Sequence, residues 1–309
     1  MRIFGINDKD IDRFIEIEDY QGLEDALNYK NNSIIRYKAA EALGKLGNAE
    51  EIDLLFNSLN DPDQSVKIMV IKALGQIGDR KSVIPLISIY DDVDDEVKEH
   101  ILYVLGEIGG KDALEFVALT LQESNLDIIL RSVQAMEQIS HPQCVDSLIS
   151  VLDTEILEIK LSAMKALGEI GDRKALNPLL ENLDNEKWNV RRHALHAVGK
   201  IQDKNTEIFI EALDDDDVHV REKAVEIIGK TGDSLTVNYL RRVMKDEDDT
   251  VRERALAILN MQPKAPVITI EAPKDIKWTQ KQSLYDIINR MGEEEASKIL
   301  IEFLEDEDP

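Results

Sequence analysis

Ala42-Leu43-Gly44-Lys45-Leu46-Gly47 is repeated almost letter for letter as Ala73-Leu74-Gly75-Gln76-Ile77-Gly78 and as Ala166-Leu167-Gly168-Glu169-Ile170-Gly171. Self-similarity at a fixed period outranks every local signal, because it means that one supersecondary unit is used many times over. With the first glycine of each string as anchor, the series runs 44, 75, 106, 137, 168, 199, 229 and 260, a step of 31 residues broken once by a step of 30. Glu137 and Asn260 occupy two of these positions, so the residue has drifted there while the period has not. A second column keeps the same register. Ile35, Val66, Val97, Ile128, Ile159, Val190, Val220 and Val251 each stand nine residues before an anchor, and each is followed by Arg or Lys except where Ile129 follows Ile128.

Each repeat reads as two helices. In the repeat around Gly199, Val190, Ala194, Ala197 and Val198 fall on one face of a 3.6-residue period, which defines helix A. Asp63, Asp94, Asp217 and Asp248 lie three residues before the Val column, where a carboxylate accepts a hydrogen bond from an unpaired amide and meets the positive end of the helix dipole. The second glycine of each pair, at 47, 78, 109, 171 and 232, suits the left-handed residue that closes a helix. A second amphipathic run, such as Cys144 to Leu152 or Ala175 to Leu183, is helix B, with Pro85 and Pro178 in its first turn. A helix pair of this length cannot bury both apolar faces alone, so neighbouring pairs must stack. The predicted fold is all-α, an α-solenoid of about seven full repeats plus caps.

The expected organisation has three parts: N-terminal capping helices over residues 1–30, the repeats over 31–260, and a tail over 261–309. In the tail, Pro263, Pro266 and Pro273 flank the β-branched run Val267-Ile268-Thr269-Ile270, which favours extended backbone before two further amphipathic runs. This tail either caps the last repeat or acts as a tethered recognition element with Trp278 as its anchor. Repeat 122–152 departs most, with Ile129, Glu137 and Ser140 at three key positions, and either ordinary drift or a hinge accounts for it.

Composition narrows the function. The 309 residues include 62 acids and 37 bases, a formal net charge of −25, and only 5% aromatics. Such a surface repels phosphate backbones and anionic lipid, which excludes nucleic acid and membrane as expected partners. A core of Ala, Leu, Ile and Val suits stacked helix pairs. The start of the chain shows no apolar targeting region, so a cytoplasmic location is expected. Cys144 is the sole cysteine and is expected to be a small buried hydrophobe.

The pattern of Asp, Val-Arg, Ala, Leu-Gly, Ile-Gly and Asp resembles HEAT repeats, in the short form found in phycobilisome lyase subunits, over roughly residues 31 to 260. The resemblance implies that Arg36, Lys67, Lys98, Lys160, Arg191, Arg221 and Arg252 join the aspartates at the starts of the A helices in a structural ladder. It also implies that B helices line the concave, partner-binding face. It is nearly silent about chemistry. Deoxyhypusine hydroxylase is a HEAT-like enzyme whose metal site uses His-Glu dipeptides, and this chain has none. His193 and His196 share a helix face, but without further ligands they read as a polar surface. No catalytic, metal or cofactor residues are therefore assigned.

Nine and thirteen residues past the anchors, or eight and twelve past Gly199, where the repeat is one residue shorter, one face of the B helices carries Asp53, Glu115, Asp146, Glu181, Glu207 and Glu211, with Arg242 as the base and Ile84 and Leu119 as apolar members. This acidic face fits a protein partner with a basic segment, while a face kept acidic for solubility alone has the same composition. The expected function is a non-enzymatic scaffold, adaptor or assembly factor. The alternative is an accessory subunit of a lyase or cofactor-maturation enzyme.

Overall fold

The computed structural model describes residues 6–201, 207–231 and 234–261, and among them every regular element is helical. The predicted tail, with Trp278, lies outside the described residues, as does Gly232. The described residues divide into two compact bodies, one ending at residue 201 and the other beginning at residue 207.

The N-terminal body opens with α1 (Asp8–Glu16) and α2 (Tyr20–Leu27), both of which pack on α3 (Ser33–Leu46), the first A helix. Then follow α4 (Asp53–Phe56), α5 (Gln64–Ile77), α6 (Val83–Ile89), α7 (Asp95–Ile108) and α8 (Lys111–Thr120). They continue as α9 (Leu126–Ile139), α10 (Val145–Ser150), α11 (Leu157–Ile170), α12 (Leu176–Leu180) and α13 (Trp188–Ile201). The odd-numbered helices from α3 onward are the A helices, each packed on the next in sequence, and the even-numbered ones are the B helices. The C-terminal body repeats the plan with α14 (Glu207–Glu211), α15 (Val218–Thr231), α16 (Ser234–Val243) and α17 (Asp249–Met261), α15 lying on α17.

The anchor glycines make the stacking possible. A methyl group on Gly44, Gly106 or Gly168 would stand 2.9 Å from the Cα of Ala73, Ala135 or Ala197 respectively, so the A helices touch nearly backbone to backbone. The partner always sits two residues before the next anchor, which is why alanine recurs there. Where Glu137 replaces the anchor, its carboxylate reaches Lys165 of α11 at 2.7 Å instead.

The predicted closures hold at Gly47, Gly78 and Gly171, which take φ of +66°, +70° and +73° and return their amides to the carbonyls of Leu43, Leu74 and Leu167. Gly109 has a positive φ but leaves the left-handed region in ψ, and Gly110 follows at φ +98°, so α8 starts directly from a double-glycine corner. In the fourth repeat Ser140 adopts the left-handed conformation at φ +46°, bonding back to Met136 just as the glycines do.

Most B helices of the N-terminal body begin with a 3-10 turn. Asn48, Asp79, His141 and Asp172 cap these turns through bonds to amides two residues on. Pro85 and Pro178 follow the turns within the first α-helical turn, where an amide hydrogen has no helical acceptor.

Candidate protein-interaction face

Two members of the basic column after the Val positions, Arg36 and Arg221, make the structural ion pairs, but with acids other than the expected ones. Arg36, 8% exposed, donates from Nε and Nη2 to the two carboxylate oxygens of Asp61 at 2.6 and 2.9 Å and from Nη1 to the Tyr29 carbonyl. Arg221 does the same with Asp246 at 2.9 and 3.1 Å. The ladder acids are therefore Asp61 and Asp246, two residues before the N-caps Asp63 and Asp248. Those caps accept from the first amides of their helices. One aspartate cannot easily do both jobs, since the cap must point along the helix axis and the ladder acid across to the preceding repeat. Asp61 and Asp246 also accept from the amides of Asp63 and Asp248, which fixes the loop between ladder and cap. Lys98 lies over the Tyr90 ring at 4.9 Å.

The B helices present the columns singled out above to solvent. Asp53, Ile84, Glu115, Leu119, Asp146 and Glu181 of the N-terminal body are all exposed, as are Glu207, Glu211 and Arg242 of the C-terminal body. Ile84 and Leu119 are 59% and 67% exposed and belong to α6 and α8, neighbouring B helices in contact. The inward side of these helices is already filled by the fully buried Leu86 and Val117, so Ile84 and Leu119 lie outside the core.

Charge is distributed differently on the two helix types. On the A helices acids meet bases: Glu41 with Lys45, Glu99 with Arg131, and Glu169 with Lys200. On the B helices Lys174 reaches Asp146 at 3.3 Å and Lys111 reaches Glu115 at 3.5 Å, both highly exposed pairs that contribute little. Asp53, Glu181 and Glu211 meet no basic side chain among the described residues. Arg242 is engaged with Asp214 at 3.0 Å.

No group of three or more metal-type ligands occurs among the described residues, and His193 Nδ1 lies 2.7 Å from the Asn189 carbonyl. Cys144 is buried, and burial pushes its thiol above the ordinary range, away from the reactive thiolate. No described helix is long and apolar enough to cross a membrane.

Comparison with known proteins agrees with this architecture. A search of curated protein sequences finds no match. Among solved structures, Kap95p with RanGDP is similar at a TM-score of 0.57 and 15% identity, over 93% of this chain and 45% of that one. YibA of E. coli is similar at 0.52 and 16%, over 84% and 99%. The CpcE–CpcF phycocyanin lyase complex of Nostoc sp. PCC7120 is similar at 0.45 and 16%, over 69% and 94%. The family model for HEAT repeats matches residues 20–106, 52–137, 113–188 and 178–260, so the chain belongs to the HEAT-repeat family.

Proposed function

We propose that this chain is a non-enzymatic protein-interaction scaffold that holds a partner carrying a basic segment against its B-helix face. The carrying observation is the pairing of Ile84 and Leu119, both open to solvent on adjacent helices, with outward acids at Asp53, Glu115, Asp146 and Glu181. Apolar side chains in a patch supply affinity once water is excluded, and an excess of exposed acids around them draws an oppositely charged partner and sets its orientation. HEAT repeats suit this use, since they offer an extended surface whose outward residues are free of packing duties.

Capture on the immobilised chain, identification by mass spectrometry and titration of the captured protein at increasing NaCl test the reading. Affinity should weaken about tenfold or more as the screening length falls from ~10 Å at 0.1 M salt to ~3 Å at 1 M. It should also fall in Ile84→Asp with Leu119→Asp. Salt-independent binding, or binding indifferent to that pair, would sink the proposal. A tetrapyrrole absorption band in the purified protein would replace it with the accessory-subunit role.

A further inference from the structure

We infer that a second docking surface runs along the edge of the N-terminal body, where α9, α11 and α13 begin, and that it takes an extended basic peptide with an apolar side chain at every third residue. Eleven residues before the anchors, the first residue of the A helix is polar in Ser33, Gln64 and Asp95, and again in Asp249 of the C-terminal body. In the four successive repeats between these it becomes apolar, as Leu126, Leu157 and Trp188 of the N-terminal body and Val218 of the C-terminal body. The capping position just before it, held by Asn32, Asp63, Asp94 and Asn125 in the earlier repeats, becomes Ile156 and Lys187.

These residues are not core. Leu126 is 48% exposed, Ile156 38% and Trp188 39%, while Leu157 is half-buried. Between the starts of α11 and α13, Leu157 and Val190 help to line a cleft of about 190 Å³. At Ile156 the arrangement costs the fold a cap. Ile156 offers no side-chain acceptor to the amides of α11, whereas Asn125 at the equivalent place accepts from Asp127 at 2.9 Å. A cap has been given up and an aliphatic side chain exposed at the same position, which is the local inconsistency expected of a surface kept for binding.

The occupant follows from charge and spacing. Asp127, Glu155, Glu158 and Glu186 are exposed around the stripe, against exposed Lys187 and partly covered Lys160, so the complementary segment is basic. Packed helices stand about 8–10 Å apart, and a segment in the extended polyproline II conformation advances about 3.1 Å per residue with three residues per turn, so every third side chain lies on one face and meets the next helix start. The surface lies on the A helices, and the inference holds whether or not the B face binds anything.

The test is fluorescence anisotropy of a labelled twelve-residue peptide with Leu at every third position and Lys elsewhere, titrated with the full chain. Two control peptides have the same leucines made contiguous, or Glu in place of Lys. Both controls should bind at least tenfold more weakly. Trp188→Ala should lose at least tenfold in affinity. Ile156→Asp should lose as much while its melting temperature rises, because aspartate restores the cap, and that combination separates binding from misfolding. Equal affinity for the contiguous-leucine peptide, or unchanged binding by Ile156→Asp, overturns the inference. If Ile84→Asp with Leu119→Asp abolishes binding and Ile156→Asp does not, the peptide belongs to the B face, which supports the scaffold reading and removes this second surface.

Discussion

Along the seam between A helices, Gly44, Gly106 and Gly168 lie against alanine backbones and Arg36 is locked to Asp61, whereas on the B helices of the same repeats the outward position changes from Asp53 to Ile84 to Glu115 without consequence for packing. Both regions come from one 31-residue unit. The seam repeats because each repeat must fit the next at backbone contact, and the B face varies because nothing in the fold leans on it. Residue choice on that face is therefore free of the packing constraint that fixes the seam.

The contrast is broken most severely at the buried ion pair. Arg36→Met should destabilise by about 3–5 kcal/mol in urea unfolding, because Asp61 is left charged and nearly water-free. A loss below about 1 kcal/mol would show that water replaces the guanidinium. Gly106→Val comes next, at about 1–3 kcal/mol, since its side chain has to displace the backbone around Ala135. Ser140→Gly should act in the opposite direction, stabilising by about 1 kcal/mol by relieving a left-handed serine.

A smaller effect is expected at Glu226. Hydrogen bonds from Lys223 and then Lys230 hold its carboxyl down at about 2. A carboxylate depressed in the folded state stabilises above its unfolded value, near 4.5, and that contribution disappears as the pH falls towards 2. Glu226→Gln should therefore melt slightly below the native chain at pH 7, with the gap closing near pH 2. A gap that persists in acid would show that packing is the cause. Last, Ile84→Ser should leave stability within about 0.5 kcal/mol while weakening partner binding.

Period and helix pairing were legible because a repeat reports itself eight times over, and glycine marked the left-handed closures at Gly47, Gly78 and Gly171 but not the one at Ser140, nor the departure at Gly109. The outward B positions were legible as well, since their offsets from the anchor count turns of a regular helix. The ladder was harder. Asp61 and Asp63 are both plausible partners for Arg36 in sequence, and only the turn between them decides which one faces back. The contact between Lys174 and Asp146 was hidden because each 3-10 turn rotates its B helix by an amount no spacing rule supplies. Leu126, Leu157 and Trp188 did leave a signal eleven residues before their anchors, but an apolar residue at a helix start blends into the amphipathic pattern until its exposure is known.

The seam also bears on how such a chain changes length. Gly75 now faces Val104, and Gly106 faces Ala135. Excising residues 79–109 would join Gly78 to Gly110, recreating the Gly109-Gly110 corner, and bring Gly75 onto Ala135, a contact the body already contains. One whole repeat could vanish by a single in-frame deletion with every remaining helix meeting a neighbour of familiar shape. A chain assembled this way lengthens and shortens by duplication and loss, and its reach is as open to inheritance as any one of its side chains.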